Sequence, residues 1–131
     1  MSSVVSRVPA APSEQARQHF AHLLGLETDC WDTHFAIVNN RQDFVLLDVR
    51  SPVLFVQGHL PNAINLPHKN INQDTLAAYP QQTLFVVYCA GPHCNGADKA
   101  GLRLAELNRP VKKLIGGVTG WLDEGFQLVQ D

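Results

Sequence analysis

Apolar residues along the chain fall into short runs divided by Gly, Pro and Asn. The densest pattern lies between Leu84 and Asn108. Phe85-Val86-Val87-Tyr88 is a β-branched and aromatic run, which predicts a strand covered on both faces. Cys89 stands where that strand ends. Gly91, Pro92, Asn95 and Gly96 then force a compact turn. Ala97, Ala100, Leu104 and Leu107 recur at helical spacing and predict a helix that faces the sheet, with Asn95 as N-cap and Asp98 at N3 as a short-armed capping box. Upstream, Phe44 to Val49 is a second buried strand, with Asp48 near its end. Ser51-Pro52 opens a short helix that closes at Gln57-Gly58. Residues 58–63 read as a turn and Ala63 to Leu66 as a short strand. Asn72 to Tyr79 reads as a short helix stopped by Pro80. Downstream, Val111 to Ile115 is a further strand, broken by Gly116-Gly117 and followed by a short helix around Trp121. No state is assigned to the tail from Phe126 to Val129.

The first forty residues read differently. Residues 1–12 are small, polar and Pro-containing, and are expected to form a flexible arm. Ser13 reads as the N-cap of a helix over 14–24, with Ala16, Phe20, Leu23 and Leu24 on one stripe and Gly25 as its stop. Thr28 and Asp29 start a second helix, whose apolar face is Trp31, Phe35 and Val38 and whose stop is Asn39-Asn40. Cys30, in its first turn, is expected to be a packing or half-exposed residue remote from any chemistry.

Strands alternating with helices predict an α/β domain: a mainly parallel central sheet flanked by helices on both faces, with an extra N-terminal helix and a single domain over 13–131. In such sheets ligands bind outside the carboxyl ends of the strands, where Cys89 falls. The composition changes this picture little. The 131 residues are 45% hydrophobic and 17% charged, which suits one globular core. The net charge of −2 and the lack of any basic run beyond Lys112-Lys113 speak against nucleic acid and anionic membranes as partners. No apolar run nears the ~20 residues of a membrane helix. The N-terminus has no signal-peptide core, and three cysteines make no disulfide framework, so a cytoplasmic location is expected.

The candidate chemistry is that of a thiolate. A cysteine between a strand end and a helix N-terminus has a lowered pKa and faces free backbone N–H groups that hold anions. Cys89 is therefore the candidate nucleophile, and Ala90, Gly91, His93, Cys94, Asn95 and Gly96 form the candidate binding loop. Pro92 cannot donate and shapes the loop. The C-x₄-C spacing lets Cys94 act either as a loop-shaping residue or as a thiol that resolves an oxidised Cys89, and the two cysteines are expected to form a reversible disulfide. Cys89, His93 and Cys94 lack the strict C-x₂-C spacing of structural zinc, so no metal and no cofactor is expected. Asp48 and Arg50 are expected to brace the loop by hydrogen bonds or an ion pair. His59 reads as a turn histidine and Trp121 as a packing residue; His68 is left unassigned.

DVRSPVLFVQGHLPNAINLP, FVVYC with its loop and helix, and LIGGVTGWLDEG, in that order and over roughly residues 28–128, resemble the signatures of the rhodanese-like domain family. The resemblance implies a fold of the class just described and a sulfurtransferase activity. Cys89 would take a sulfane sulfur as a persulfide from a small-molecule or protein donor and pass it to a thiol acceptor. The loop departs from the family pattern in three respects. It has no charged residue besides His93, it is one residue longer than the common sulfurtransferase loop, and it holds Cys94. The missing loop cation weighs against thiosulfate as natural donor. It is also what a non-catalytic binding or regulatory module would show. A phosphatase-type loop would place Arg where Asn95 stands. Oligomeric state is left open.

Overall fold

In the computed structural model, which describes residues 1–130, the strands and helices alternate as the pattern requires. They are α1 (Val4–Arg7), α2 (Ser13–Leu26), β1 (Glu27–Thr28), α3 (Cys30–Val38), β2 (Val45–Asp48), α4 (Pro52–Gln57), β3 (Ile64–Asn65), β4 (Phe85–Tyr88), α5 (Gly96–Glu106), β5 (Val111–Leu114) and α6 (Gly117–Asp123), with a 3₁₀ turn at His68–Asn70. The sheet order is β1-β5-β4-β2-β3, and all four pairings are parallel. Strand alternation divides the core in two. Leu47, Val49, Phe85, Val87 and Cys89 pack with Ala97, Ala100 and Leu104 of α5. Leu46, Val86, Tyr88 and Leu114 pack on the other face with Cys30 and Trp121. Parity along β4 thus assigns Cys89 to the α5 side and Tyr88 to the opposite one.

Several sequence expectations need correction. The N-terminal arm carries a helical turn, because Ser3 and Ser6 form a reciprocal capping box around Val4–Arg7. α2 begins at Ser13, with Pro12 in the cap position, and runs through Gly25 to Leu26. Its backbone continues until Glu27 enters the sheet as edge strand β1 beside β5. The apolar stripes of the two first long helices do not point inwards. Phe20, Leu24, Trp31, Phe35 and Val38 are exposed, and α3 instead buries Cys30 and Thr33.

Residues 72–79 form successive turns rather than a helix. Arg109, largely buried, donates to the carbonyls of Leu76, Tyr79 and Pro80. The amides of Ala77 and Tyr79 close i→i+3 turns on Asp74 and Leu76, and Pro80 has no N–H to continue an i→i+4 ladder from the Leu76 carbonyl. The tail is held in place by a bridge between His59 and Val129 and by the Trp121 indole N–H, which donates to the Gln127 carbonyl.

Candidate functional site

The site grows out of the carboxyl ends of β4 and β5. Cys89 follows β4, is 8% exposed, and ends the inward-facing series Phe85, Val87, Cys89. The loop then curls so that Cys89 and Cys94 are joined as a disulfide with Cα atoms 6.4 Å apart. Gly96 opens α5 directly beneath both sulfurs. A Cβ built on it would lie 2.9 Å from the Cys89 Sγ and 3.4 Å from the Cys94 Sγ, so only glycine allows this approach. The Gly96 N–H donates to the Cys94 Sγ at 3.4 Å. Asn95 occupies the N-cap position, but its side chain makes no capping bond. Asp98 does not close a capping box either: it accepts from Lys113 at 3.1 Å.

The carbonyl side of the loop is fastened to α6. The Val118 N–H donates to the Cys89 carbonyl, and the Thr119 N–H and hydroxyl both donate to the Ala90 carbonyl. This approach depends on Gly117, whose φ of 56° is left-handed and whose Cβ would strike the Cys89 carbonyl oxygen. Underneath lies Cys30, with its thiol directed at the carbonyls of Ile115 and Gly117 at 3.6 and 3.7 Å. Cys30 is therefore close to the site and part of its foundation. The sequence hid this, because the contact spans 87 positions. Burial pushes the Cys30 thiol up to about 11. It stays protonated and unreactive at neutral pH.

A cleft of about 250 Å³ opens beside the loop. Cys89, Cys94 and Ala97 form one wall, Gly116 and Gly117 another, and Asp98 and Lys113 its charged rim. Lys113 is the cation that the loop itself lacks. β5 supplies it from the α5 side of the sheet, and it pairs with Asp98 at 3.1 Å and with Glu27 at 3.6 Å. The alternation Val111, Lys113 could have revealed it, since both face α5 once β5 is read as a strand. Among the expected binding residues, Gly91 and Cys94 line the cleft and Gly96 lies against both sulfurs, while Ala90, His93 and Asn95 are exposed. The Cys94 amide, expected to be free, donates to the Gly91 carbonyl at 3.1 Å and closes the turn.

Asp48 and Arg50 do form an ion pair, but its brace reaches elsewhere. The fully buried Asp48 carboxylate accepts from the Arg50 side chain, the Arg50 amide and the Tyr88 hydroxyl. Arg50 also donates to the Gly58 carbonyl, and the Tyr88 oxygen accepts from the Leu60 amide. The network holds the turn after α4 against the sheet, on the face away from Cys89. Burial, with the Asp48 carboxylate next to it, raises the Tyr88 phenol far above its ordinary range, so it remains a donor. His59 is buried in that turn and stacks on Phe55 at 3.9 Å. Trp121 is fully buried, which leaves it no face for substrate.

Comparison with known proteins adds a relationship to this geometry. Residues 36–124 match the model of the rhodanese-like domain. The chain is 34% identical over 89 residues to the HTH-type transcriptional regulator Rv0324 of Mycobacterium tuberculosis. That match covers 63% of this chain but only 39% of the regulator. It is 28% identical over 88 residues to a sulfurtransferase of Allochromatium vinosum, a match that covers 67% of this chain and 80% of that protein. Among solved structures, the BH2092 protein of Bacillus halodurans superposes with a TM-score of 0.86 at 34% identity, over 90% of this chain and 86% of that one.

Proposed function

This chain belongs to the rhodanese-like domain family, and on that premise we propose that it is a sulfurtransferase with Cys89 as its nucleophile. One observation carries the reading. Cys89 ends a buried strand, opens into a cleft, and rests on the N-terminus of the eleven-residue helix α5. That end of a helix presents roughly half a positive charge, which favours a thiolate and then a persulfide anion. In the reduced protein the Cys89 thiolate attacks the outer sulfur of a sulfane donor. The new S–S bond forms on Cys89, and the donor departs as a thiolate. In this reading the loop amides of Gly91, His93 and Asn95 hold the terminal sulfur until a thiol acceptor removes it. Such a cycle requires the Cys89–Cys94 bond to be open, which suits a reducing compartment such as the cytoplasm. The partners are a small-molecule or protein sulfane donor and a thiol acceptor. Thiosulfate suits this cleft poorly, because Lys113 is already engaged by two carboxylates.

The test is mass spectrometry of reduced protein after exposure to glutathione persulfide. Reduced Cys94→Ala protein is used so that a persulfide persists. A gain of about 32 Da, one sulfur atom, located on Cys89 is expected. Cys89→Ser should gain nothing and turn over no donor, since a hydroxyl is a poor nucleophile at neutral pH. A second reading, a non-catalytic binding or regulatory module, is favoured by the uncharged loop and by the likeness to a transcriptional regulator. It would be upheld by reduced protein that takes up no sulfur from any donor.

A further inference from the structure

Cys94 gives the loop a second chemical step. Its sulfur is bonded to that of Cys89 within one turn of chain, closed by the Cys94 amide on the Gly91 carbonyl. The Gly96 N–H donates to that same sulfur, and the Gly96 backbone lies against both. The helix end that stabilises a Cys89 thiolate therefore also stabilises negative charge on Cys94. No other thiol can take this role, because Cys30 is buried on the opposite face of the sheet among carbonyl groups.

Resting on the persulfide reading of Cys89, we propose that this protein releases sulfane sulfur as hydrogen sulfide, with Cys94 as the resolving thiol. In the first step the Cys89 thiolate and a persulfide R–S–SH give Cys89–S–SH and RS⁻. In the second, the Cys94 thiolate attacks the Cys89 Sγ. A Cys89–Cys94 bond forms, the bond from Cys89 to the outer sulfur breaks, and its electron pair leaves with that sulfur as HS⁻. The sulfane sulfur is reduced by two electrons and the two cysteine sulfurs are oxidised by two. The product is the disulfide seen in the structure. A dithiol reductant regenerates the pair by two exchanges and becomes a disulfide itself. An intramolecular thiol held at contact distance competes well with free thiol acceptors, because its positional entropy is already lost. Escape of the sulfur as HS⁻ is therefore faster than its transfer to a dilute acceptor.

A single-turnover experiment distinguishes this step from the one it rests on. Reduced protein, freed of reductant, is mixed with one equivalent of glutathione persulfide. Sulfide is trapped and counted, and the protein is weighed intact and mapped by peptide. Wild type should release about one sulfide per chain, lose about 2 Da and yield a Cys89–Cys94 peptide. Cys94→Ala and Cys94→Ser should instead gain about 32 Da on Cys89 and release at least ~10-fold less sulfide. Circular dichroism confirms that each variant is folded, and two variants guard against one that is not. If wild type holds a stable persulfide with the other loop thiol free, the resolving step is wrong and the sulfurtransferase reading stands. If neither wild type nor either variant takes up sulfur, both fall.

Discussion

Cys30 shows how much one residue can depend on its surroundings. Its thiol sits 4% exposed beneath the Gly116-Gly117 turn, and burial pushes it up to about 11. A thiol is uncharged when protonated, so a raised folded value adds stability that is complete below the unfolded value. That stability is lost as pH climbs through the folded value. The window therefore runs from an ordinary value of 9.0 to about 11. In the oxidised protein, where Cys89 and Cys94 do not titrate, wild type is expected to lose more stability across that window than Cys30→Ser. Denaturant midpoints at several pH values measure this, and parallel curves for the two proteins would refute it. Cys30 and Cys89 are the same residue type, yet one sits under carbonyl oxygens and the other at a helix N-terminus. Their neighbours alone separate a structural thiol from a nucleophile.

Among the elements, β5 and α5 meet at the cleft through an ion pair, and that pair decides which donors it suits. Lys113 faces two carboxylates, Asp98 and Glu27, so the rim of the cleft carries no net positive charge. A dianion such as thiosulfate gains little there. Asp98→Asn removes one carboxylate and is expected to raise kcat/KM for thiosulfate by roughly threefold to fivefold, the scale of an exposed ion pair of about 1 kcal/mol or less. Lys113→Met should lower it by a similar factor. Neither change should shift the rate with cysteine persulfide, which carries less negative charge than thiosulfate, by as much, and the effect of Asp98→Asn should shrink at high salt. Steady-state kinetics with both donors checks this. Equal responses of the two donors would mean that the ion pair only fastens β5 to α5.

For the whole molecule, the layer that covers one face of the sheet is secured by Arg109, which follows α5 and reaches back to Leu76, Tyr79 and Pro80. Arg109→Met keeps much of the apolar stem but removes three hydrogen bonds, while the Leu76 and Pro80 carbonyls keep the Tyr79 and Thr83 amides as donors, and is expected to cost about 1–3 kcal/mol. Urea unfolding should show a lower midpoint with an unchanged slope, whereas a loss under about 0.5 kcal/mol would mean that the turns hold themselves. The central strands, the loop with Cys89, the helix α5 and the glycine break before α6 were legible in the sequence. Each is written in neighbouring residues, through the period of the apolar positions and the turn chemistry of Gly, Pro and Asn. The C-x₄-C spacing likewise pointed to the Cys89–Cys94 pair. Four features were not legible: the turns over 72–79, the buried side of α3, the place of Cys30 under the loop, and Lys113 at the cleft. Arg109 reaches across 33 positions to Leu76, Cys30 across 87 to Gly117, and Lys113 across 15 to Asp98. Local pattern determines which segments become strand, turn or helix. Only the closed sheet decides which distant carbonyl, thiol or carboxylate each side chain finds, because those contacts exist only once the chain has folded.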